Sequence, residues 1–283
     1  MPRSTDISPI SQLLSQVDAI ADGAPALDTI PSGFPSIDQV LGGGMRRGDL
    51  IVLGGDVGSG KSALALAVAL RVGRQRVNGV FYSGEMTTDR VMERALAIEG
   101  RVRVDELRQG SLDDRARSAV GAAAVRLREL LPAVDRMPAG GMAGLATALE
   151  TRPDVELVVV DPLEALVTGT RNRDEELAQA VVALKALALE RHVTIFTTSQ
   201  LPGLAPRDDR RPQLDDFGAL GALKHHADVV LALYRESMYD PHRDIEGATE
   251  LLVRKNRNGA TGYIDLYFYA QWMRFEDMLD PDQ

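Results

Sequence analysis

The chain has 283 residues, enough for one large α/β domain or two small ones, and its 45% hydrophobic and 26% charged content suits a packed protein, not a disordered one. With 32 basic against 41 acidic residues, the formal charge is −9, so any nucleic-acid contact must be a local basic patch and not a whole-surface field. Cysteine is absent, which excludes disulfides, thiolate zinc sites, iron–sulfur clusters and cysteine nucleophiles.

Residues 7–21, ISPISQLLSQVDAIA, place Ile10, Leu13, Leu14, Val17 and Ile20 at spacings of three and four, which predicts a helix with one apolar face. Ser8 and Pro9 are suitable start signals. Residues 22–35, DGAPALDTIPSGFP, read as a linker. The chain is thus expected to divide into a detached helix with its linker, 1–35, and a main domain, 36–283. That helix needs a surface to cover its apolar face, either on its own domain or on a neighbouring subunit.

From residue 49 onward, apolar strands alternate with helical patterns: DLIVLGG, a helix after Lys61, GVFYSGE, helices from Thr88 and near 113–131, VELVVVD, a helix from Asp174, and VTIFTTSQ. Such alternation predicts an α/β fold, a mainly parallel sheet flanked by helices on both faces. ADVVLALYR, TELLVRK and YIDLYFYA, joined by Gly- and Asn-bearing turns, predict an antiparallel extension of that sheet. MPRSTDISPI lacks the apolar core of a secretory signal and ALALAVAL at 63–70 is far too short to span a membrane, so a soluble, cytoplasmic protein is expected, with no membrane partner.

Gly55-Asp56-Val57-Gly58-Ser59-Gly60-Lys61-Ser62 satisfies G-x-x-x-x-G-K-[ST] between a strand and a helix. In that setting a glycine loop turns its N–H groups, and the helix amino terminus its partial positive charge, toward phosphate. Lys61 is placed to reach the β- and γ-phosphates of ATP, and the Ser62 hydroxyl to ligate Mg²⁺. Residues 58–63 also satisfy the relaxed dinucleotide pattern G-x-G-x-x-[GA], with Glu85 as its acid; the adjoining Lys-Ser has no job in such a site. Asp161 ends VELVVVD, where open α/β sheets place ligand chemistry, and is assigned to magnesium, directly or through water. Glu85, ending FYSGE, reads either as a general base or positioner for the attacking water or as a solvated strand-end acid. Gln200, ending TIFTTSQ, could sense the γ-phosphate and switch the loop after it. His225 and His226 would face opposite ways on a strand, which argues against a shared metal.

Together PSGFPSIDQVLGGGMRRGDLIVLGG, FYSGEM, VVVDPLEAL, LKALALERHVTIFTTSQL, HADVVLALYRE and RKNRNGATG, in this order, resemble the ATPase domain of DnaB-type replicative helicases, within the RecA-like superfamily. The resemblance implies a RecA-like fold and makes Glu85 the catalytic glutamate, Asp161 the magnesium-holding aspartate and Gln200 the coupling residue. It makes Arg257 an arginine finger and Lys255 its accompanying lysine, both offered to the nucleotide of the adjacent subunit of a homo-oligomer, a hexameric ring. It also equates the helix at 9–21 with the linker helix that docks on the next subunit, with the family's amino-terminal domain not expected here. Three segments depart from the family pattern: Pro162 to Glu164 after Asp161, Lys224 to His226, and DDFGALG at 215–221.

The resemblance also places the loops after Asp161 and Gln200 along the ring's channel. They carry Arg171 and Arg173, and Arg207, Arg210 and Arg211, cations suited to tracking single-stranded DNA. Asp208 and Asp209 lie among them, and no aromatic residue is there to stack bases. The expected function is an ATP-hydrolysing, ring-forming DNA helicase or translocase. The alternative is a KaiC-like regulatory or a recombination ATPase that assembles with ATP without unwinding DNA.

Overall fold

The computed structural model describes residues 8–23, 28–167, 169, 172–202, 207–240 and 246–279. Helix α1 (Pro9–Ala21) starts where Ser8 accepts a hydrogen bond from the Ser11 N–H and Pro9 supplies a first-turn residue that needs no amide partner. Its apolar row stays uncovered, from Ile10 at 67% exposure to Ile20 at 45%. The helix therefore stands apart from the core, as its sequence predicts.

The stretch read as a linker is only partly one. Strand β1 (Thr29–Ile30) pairs antiparallel with β2 (Met45–Arg46) around α2 (Pro35–Val40). Ile30 and Phe34 are fully buried, and the Arg71 guanidinium lies 4.1 Å from the centre of the Phe34 ring. Gly and Pro set the turns, but these two large apolar side chains draw the backbone onto the domain.

The main sheet then builds on β3 (Leu50–Gly55), followed by α3 (Lys61–Arg74), β4 (Gly79–Ser83), α4 (Thr88–Gly100), α5 (Val104–Gln109), α6 (Asp114–Leu130), β5 (Ala133–Arg136) and α7 (Gly141–Glu150). Next come β6 (Leu157–Asp161), α8 (Arg173–Arg191), β7 (Thr194–Gln200), α9 (Ala222–His226), β8 (Val229–Tyr234), β9 (Ala248–Asn256), β10 (Gly262–Tyr269) and β11 (Arg274–Asp277). Among the described residues the nine strands run in the order β11-β10-β9-β8-β3-β7-β6-β4-β5. The six from β8 to β5 are parallel, and β9, β10 and β11 extend the sheet antiparallel.

Two hydrophobic layers cover the sheet because alternate strand residues face opposite ways. Ile51 and Leu53 join the layer under α3, α4 and α6, whereas Leu50 and Val52 join the one under α7, α8 and α9. Burial on both faces explains why VVV in β6 carries no polar alternation, and residues 63–70 of α3 are likewise buried throughout. Strands β5 and β11 and helices α2, α5 and α7 had no clear periodic signal. His225 and His226 lie at the end of helix α9, not on a strand, because Ala222 and Leu223 pack as one helical turn beneath α8. No helix among the described residues is long and apolar enough to cross a membrane.

Phe34→Ala should cost about 3–5 kcal/mol of unfolding free energy, the usual loss for a buried aromatic ring. Leu14→Ala, on the uncovered row of α1, should leave monomer stability nearly unchanged. Chemical denaturation of the two variants checks the difference.

Candidate nucleotide site

The phosphate loop leaves the carboxyl end of β3 and turns into α3. Gly60 takes φ +105°, and a Cβ there would meet the Phe275 ring at 2.9 Å, so the turn needs glycine for conformation and for space. Asp56 accepts from the Val57 N–H at 2.8 Å, its carbonyl accepts from the Ser59 N–H at 3.1 Å, and Tyr239 donates its hydroxyl to the Asp56 carboxylate at 3.0 Å. Burial and that acceptor push the Tyr239 phenol up to about 12.

Lys61 folds back over the loop, its Nζ donating to the carbonyl oxygens of Gly55 and Asp56, both at 2.9 Å. Burial pulls its pKa below the ordinary lysine value, against the attraction of Glu164, Asp161, Asp56 and Glu85. A lysine held so, on two loop carbonyls and amid carboxylates, is a preorganised cation for an anionic ligand.

Strand β6 delivers Asp161 to the same place. Its carboxylate, 3% exposed, accepts the Ser62 hydroxyl at 3.0 Å and the Thr198 hydroxyl at 2.6 Å. Burial raises its pKa, more than the two hydroxyl donors lower it. Strand β7 lies between β3 and β6, so Thr198 bridges the strand of the loop and the strand of the acid. A hydroxyl and a buried carboxylate side by side are hard oxygen donors, and Ser62 and Asp161 fit Mg²⁺, whose remaining positions are ordinarily filled by water and phosphate. Among the described residues no cluster of three or more His, Asp or Glu could hold a metal unaided.

Glu85 and Gln200 meet above this pair, the Gln200 Nε2 donating to the Glu85 carboxylate at 3.1 Å. Gly84 permits this arrangement, because a Cβ there would stand 2.2 Å from that of Ala165. Glu164 fixes Gln200 from behind: one oxygen accepts the Ser199 hydroxyl at 3.0 Å and the Gln200 N–H at 2.9 Å. Its other oxygen is buried with no hydrogen-bond partner among the described residues, and burial raises the pKa of the group.

Gly55 to Ser62, Glu85, Asp161 and Gln200 therefore lie together. Arg257 and Lys255 do not. They sit on and beside the β9–β10 turn, where Asn256 pairs with Val229 at the amino end of β8, and the Arg257 N–H donates to the Asp228 carbonyl at 2.8 Å. Asp228 in turn pairs with Leu50 at the start of β3, whereas the phosphate loop begins at its end. The length of β3, about 20 Å at ~3.3 Å per residue, separates the two cations from Lys61 of the same chain.

Thr198 and Asp228 were missed by sequence reasoning. Polar residues in a run that is otherwise strand-like, Thr197-Thr198-Ser199, and an acid directly before an apolar strand were the available signals. Glu164 was visible only as a departure from a familiar pattern. In the second arginine loop, Arg207 is paired with Asp216 and Arg211 with Glu250, and Arg210 lies 5.9 Å from the Tyr239 ring centre. Arg173 begins α8 and is exposed, while Arg171 falls outside the described residues.

A strand–glycine loop–helix with Lys61, Ser62 and Asp161 at the carboxyl edge of this sheet defines a RecA-like P-loop nucleotide-binding domain. The sequence profile of the DnaB-like helicase C-terminal domain matches residues 29–277, and the chain belongs to that family. It is 29% identical over 276 residues to the replicative DNA helicase DnaB of Leifsonia xyli subsp. xyli, covering 95% of this chain and 60% of that protein. It is 28% identical over 257 residues to the replicative DNA helicase DnaC of Bacillus subtilis, covering 88% of this chain and 56% of that one. The chain thus spans less than two thirds of the length of these relatives. A solved ATPase domain superposes with a TM-score of 0.86 at 22% identity, covering 96% of this chain and 99% of that one. A DnaB-like replicative helicase, solved in a study of its interactions with primase, gives 0.85 at 22% identity over 95% of this chain and 66% of its own. At such identities these two likenesses speak for the fold alone.

The raised pKa of Asp161 and of Glu164 means that the folded protein holds their protons more tightly than the unfolded chain. Each ionised carboxylate then lowers stability above its folded pKa, and the penalty is relieved as pH falls through that value. Asp161→Asn and Glu164→Gln should accordingly raise the melting temperature of the nucleotide-free protein at pH 7–8. The gain should shrink on acidification, as thermal melts across pH will show.

Proposed function

We propose that this chain is the ATP-hydrolysing motor of a ring-forming DNA helicase or translocase, with Mg²⁺ as cofactor and a homohexamer as the working assembly. One observation carries the reading: the nucleotide-binding groups gather at one edge of the sheet, while Arg257 and Lys255 stand at the other. Cations so far from their own phosphate loop are out of its reach, which supports their serving a nucleotide bound to a neighbouring copy. Hydrolysis then requires assembly, and a ring gives every site such a neighbour.

In this reading the loop N–H groups and Lys61 bind the β- and γ-phosphates, and Lys61 exchanges its two carbonyl partners for phosphate oxygens. Ser62 and Asp161 hold Mg²⁺, which neutralises charge on the phosphate oxygens when bound. Glu85 accepts the proton of the attacking water as the bond from the γ-phosphorus to the bridging oxygen breaks. Gln200 lies between Glu85 and the loop that follows β7, so a change at the γ-phosphate is passed to that loop by one amide. Arg257 and Lys255 of the adjacent copy stabilise the charge that develops on the transferred group. The names of the relatives support DNA as the track, and Arg173 and Arg210 are loop arginines with no carboxylate partner among the described residues.

The internal pairing of Arg207 and Arg211 favours a second reading, a RecA-like regulatory or recombination ATPase that assembles with ATP and does not unwind DNA. The two diverge in one experiment. For the motor, single-stranded DNA should stimulate ATP turnover several-fold at low salt and progressively less as salt rises, because phosphate contacts release counterions. Mass measurement should also show ATP-dependent assembly. Assembly with turnover indifferent to DNA would favour the second reading.

Lys61→Ala should abolish nucleotide binding by calorimetry; retained affinity would overturn the phosphate-loop assignment. Arg257→Ala should bind ATP normally yet lose turnover by about 10³-fold or more. Mixing Arg257→Ala with Glu85→Gln should restore part of it, since some sites then combine an intact glutamate with a neighbour's intact arginine.

A further inference from the structure

Asp228 is buried, at 1% exposure, directly before β8 and at the end of the sheet remote from the phosphate loop. Its Oδ2 accepts the Leu50 N–H at 2.9 Å and the Lys185 ammonium at 2.6 Å, and Lys185 donates also to the Gly48 carbonyl at 2.7 Å. Lys185 therefore already supplies the counter-charge that a buried carboxylate requires. The second oxygen, Oδ1, lies 3.4 Å from Nε of Arg257. Arg257 is thus tied to Asp228 twice, by its backbone N–H and by the inner nitrogen of its guanidinium, while its side chain stays 53% exposed.

The surroundings brace the same turn. Asn258 donates to the Asp49 carboxylate at 2.6 Å. Lys255 donates to the carbonyls of Lys224 at 2.8 Å and His225 at 3.3 Å, and also to that of Ala227, so it caps the end of α9. One terminal nitrogen of Arg257 lies 3.3 Å from the His225 carbonyl.

We infer that Asp228 is a positioning residue for the arginine that acts across the subunit interface. Resting on the reading of Arg257 as that trans cation, the inference assigns the carboxylate an orienting role, because the neutralising one belongs to Lys185. An exposed arginine has many rotamers, and freezing them at the moment of reaction costs entropy. A guanidinium paired at Nε with Asp228 and held at one terminal nitrogen by the His225 carbonyl has its plane set, and the other terminal nitrogen is aimed for a phosphate oxygen. Asp228 and Arg257 belong to one subunit and the nucleotide to the next, so a defect at Asp228 must appear in the neighbour's site.

The test is Asp228→Asn, which keeps an oxygen for Leu50 and Lys185 and removes the charge. In assembled protein kcat should fall roughly 10–100-fold, the effect of misplacing a catalytic group by about 1 Å. KM and ATP affinity should stay within about twofold, since ground-state binding is untouched. Mixed with Glu85→Gln, which supplies an intact arginine, Asp228→Asn should regain turnover; mixed with Arg257→Ala it should not. An unchanged kcat, or equal behaviour in the two mixtures, would overturn the inference. Mixing Arg257→Ala with Glu85→Gln is the control: silence there would sink the trans reading itself, and with it this one. Lys185→Gln loosens the same cluster but leaves the carboxylate to Arg257, so assembled protein should keep kcat within about threefold. A loss equal to that of Asp228→Asn would mark the cluster as merely structural and overturn the proposal. This second variant also decides the matter if Asp228→Asn fails to assemble.

Discussion

The candidate nucleotide site depends on a buried carboxylate whose side-chain hydrogen-bond donors, among the described residues, are two hydroxyl groups. Asp161 comes from β6, Ser62 from the first turn of α3 and Thr198 from β7, so one acceptor fastens three elements distant in sequence. Two neutral donors do not repay the desolvation of a charge, which is why its proton affinity rises. The site is thereby left short of positive charge beside Asp161. Lys61, resting on two carbonyls, completes the same imbalance from the other side.

That imbalance is local, and the sheet makes it so. Parallel strands send all their carboxyl ends to one edge, which collects the phosphate loop, Glu85, Asp161 and Gln200. The antiparallel β9 runs back to the opposite edge and carries Lys255 and Arg257 there. On the proposed function, having both halves of the chemistry in one chain but on opposite edges separates binding from completion of the site, and repetition of the chain is the physical means of reuniting them.

The acidic balance of the molecule acts in the same direction. Of the basic side chains near the loops, Arg207 and Arg211 serve Asp216 and Glu250, and the latter pair sits beside the Tyr234 ring. These arginines stiffen the return from β7 to α9 and are withdrawn from solvent-facing work. Lys185 is spent likewise on Asp228. A count of cations in a sequence therefore overstates the positive surface, because pairing cancels charge before any partner arrives.

Much of the fold was legible because its signals are local. Apolar runs flanked by polar turns marked β3, β4, β6, β7 and the strands from β8 to β10, and three-and-four spacing marked α1, whose row is indeed uncovered. The edge strand β5, with one buried residue, and the short β11 had too little pattern to register. The glycine loop, with its lysine and serine, was likewise fixed by residue type and spacing, since backbone amides, a cation and a hydroxyl must follow one another closely to surround phosphate. By itself, then, the sequence determined a P-loop in a mainly parallel α/β domain and nominated Glu85, Asp161, Gln200 and Arg257. Tertiary structure alone decided that Thr198 and Glu164 brace the site, that Ile30 and Phe34 belong to the core, and that Arg257 lies a sheet's length from Lys61 beside Asp228. Those facts depend on strand order and on burial, which bring together residues whose separation along the chain carries no trace of their meeting.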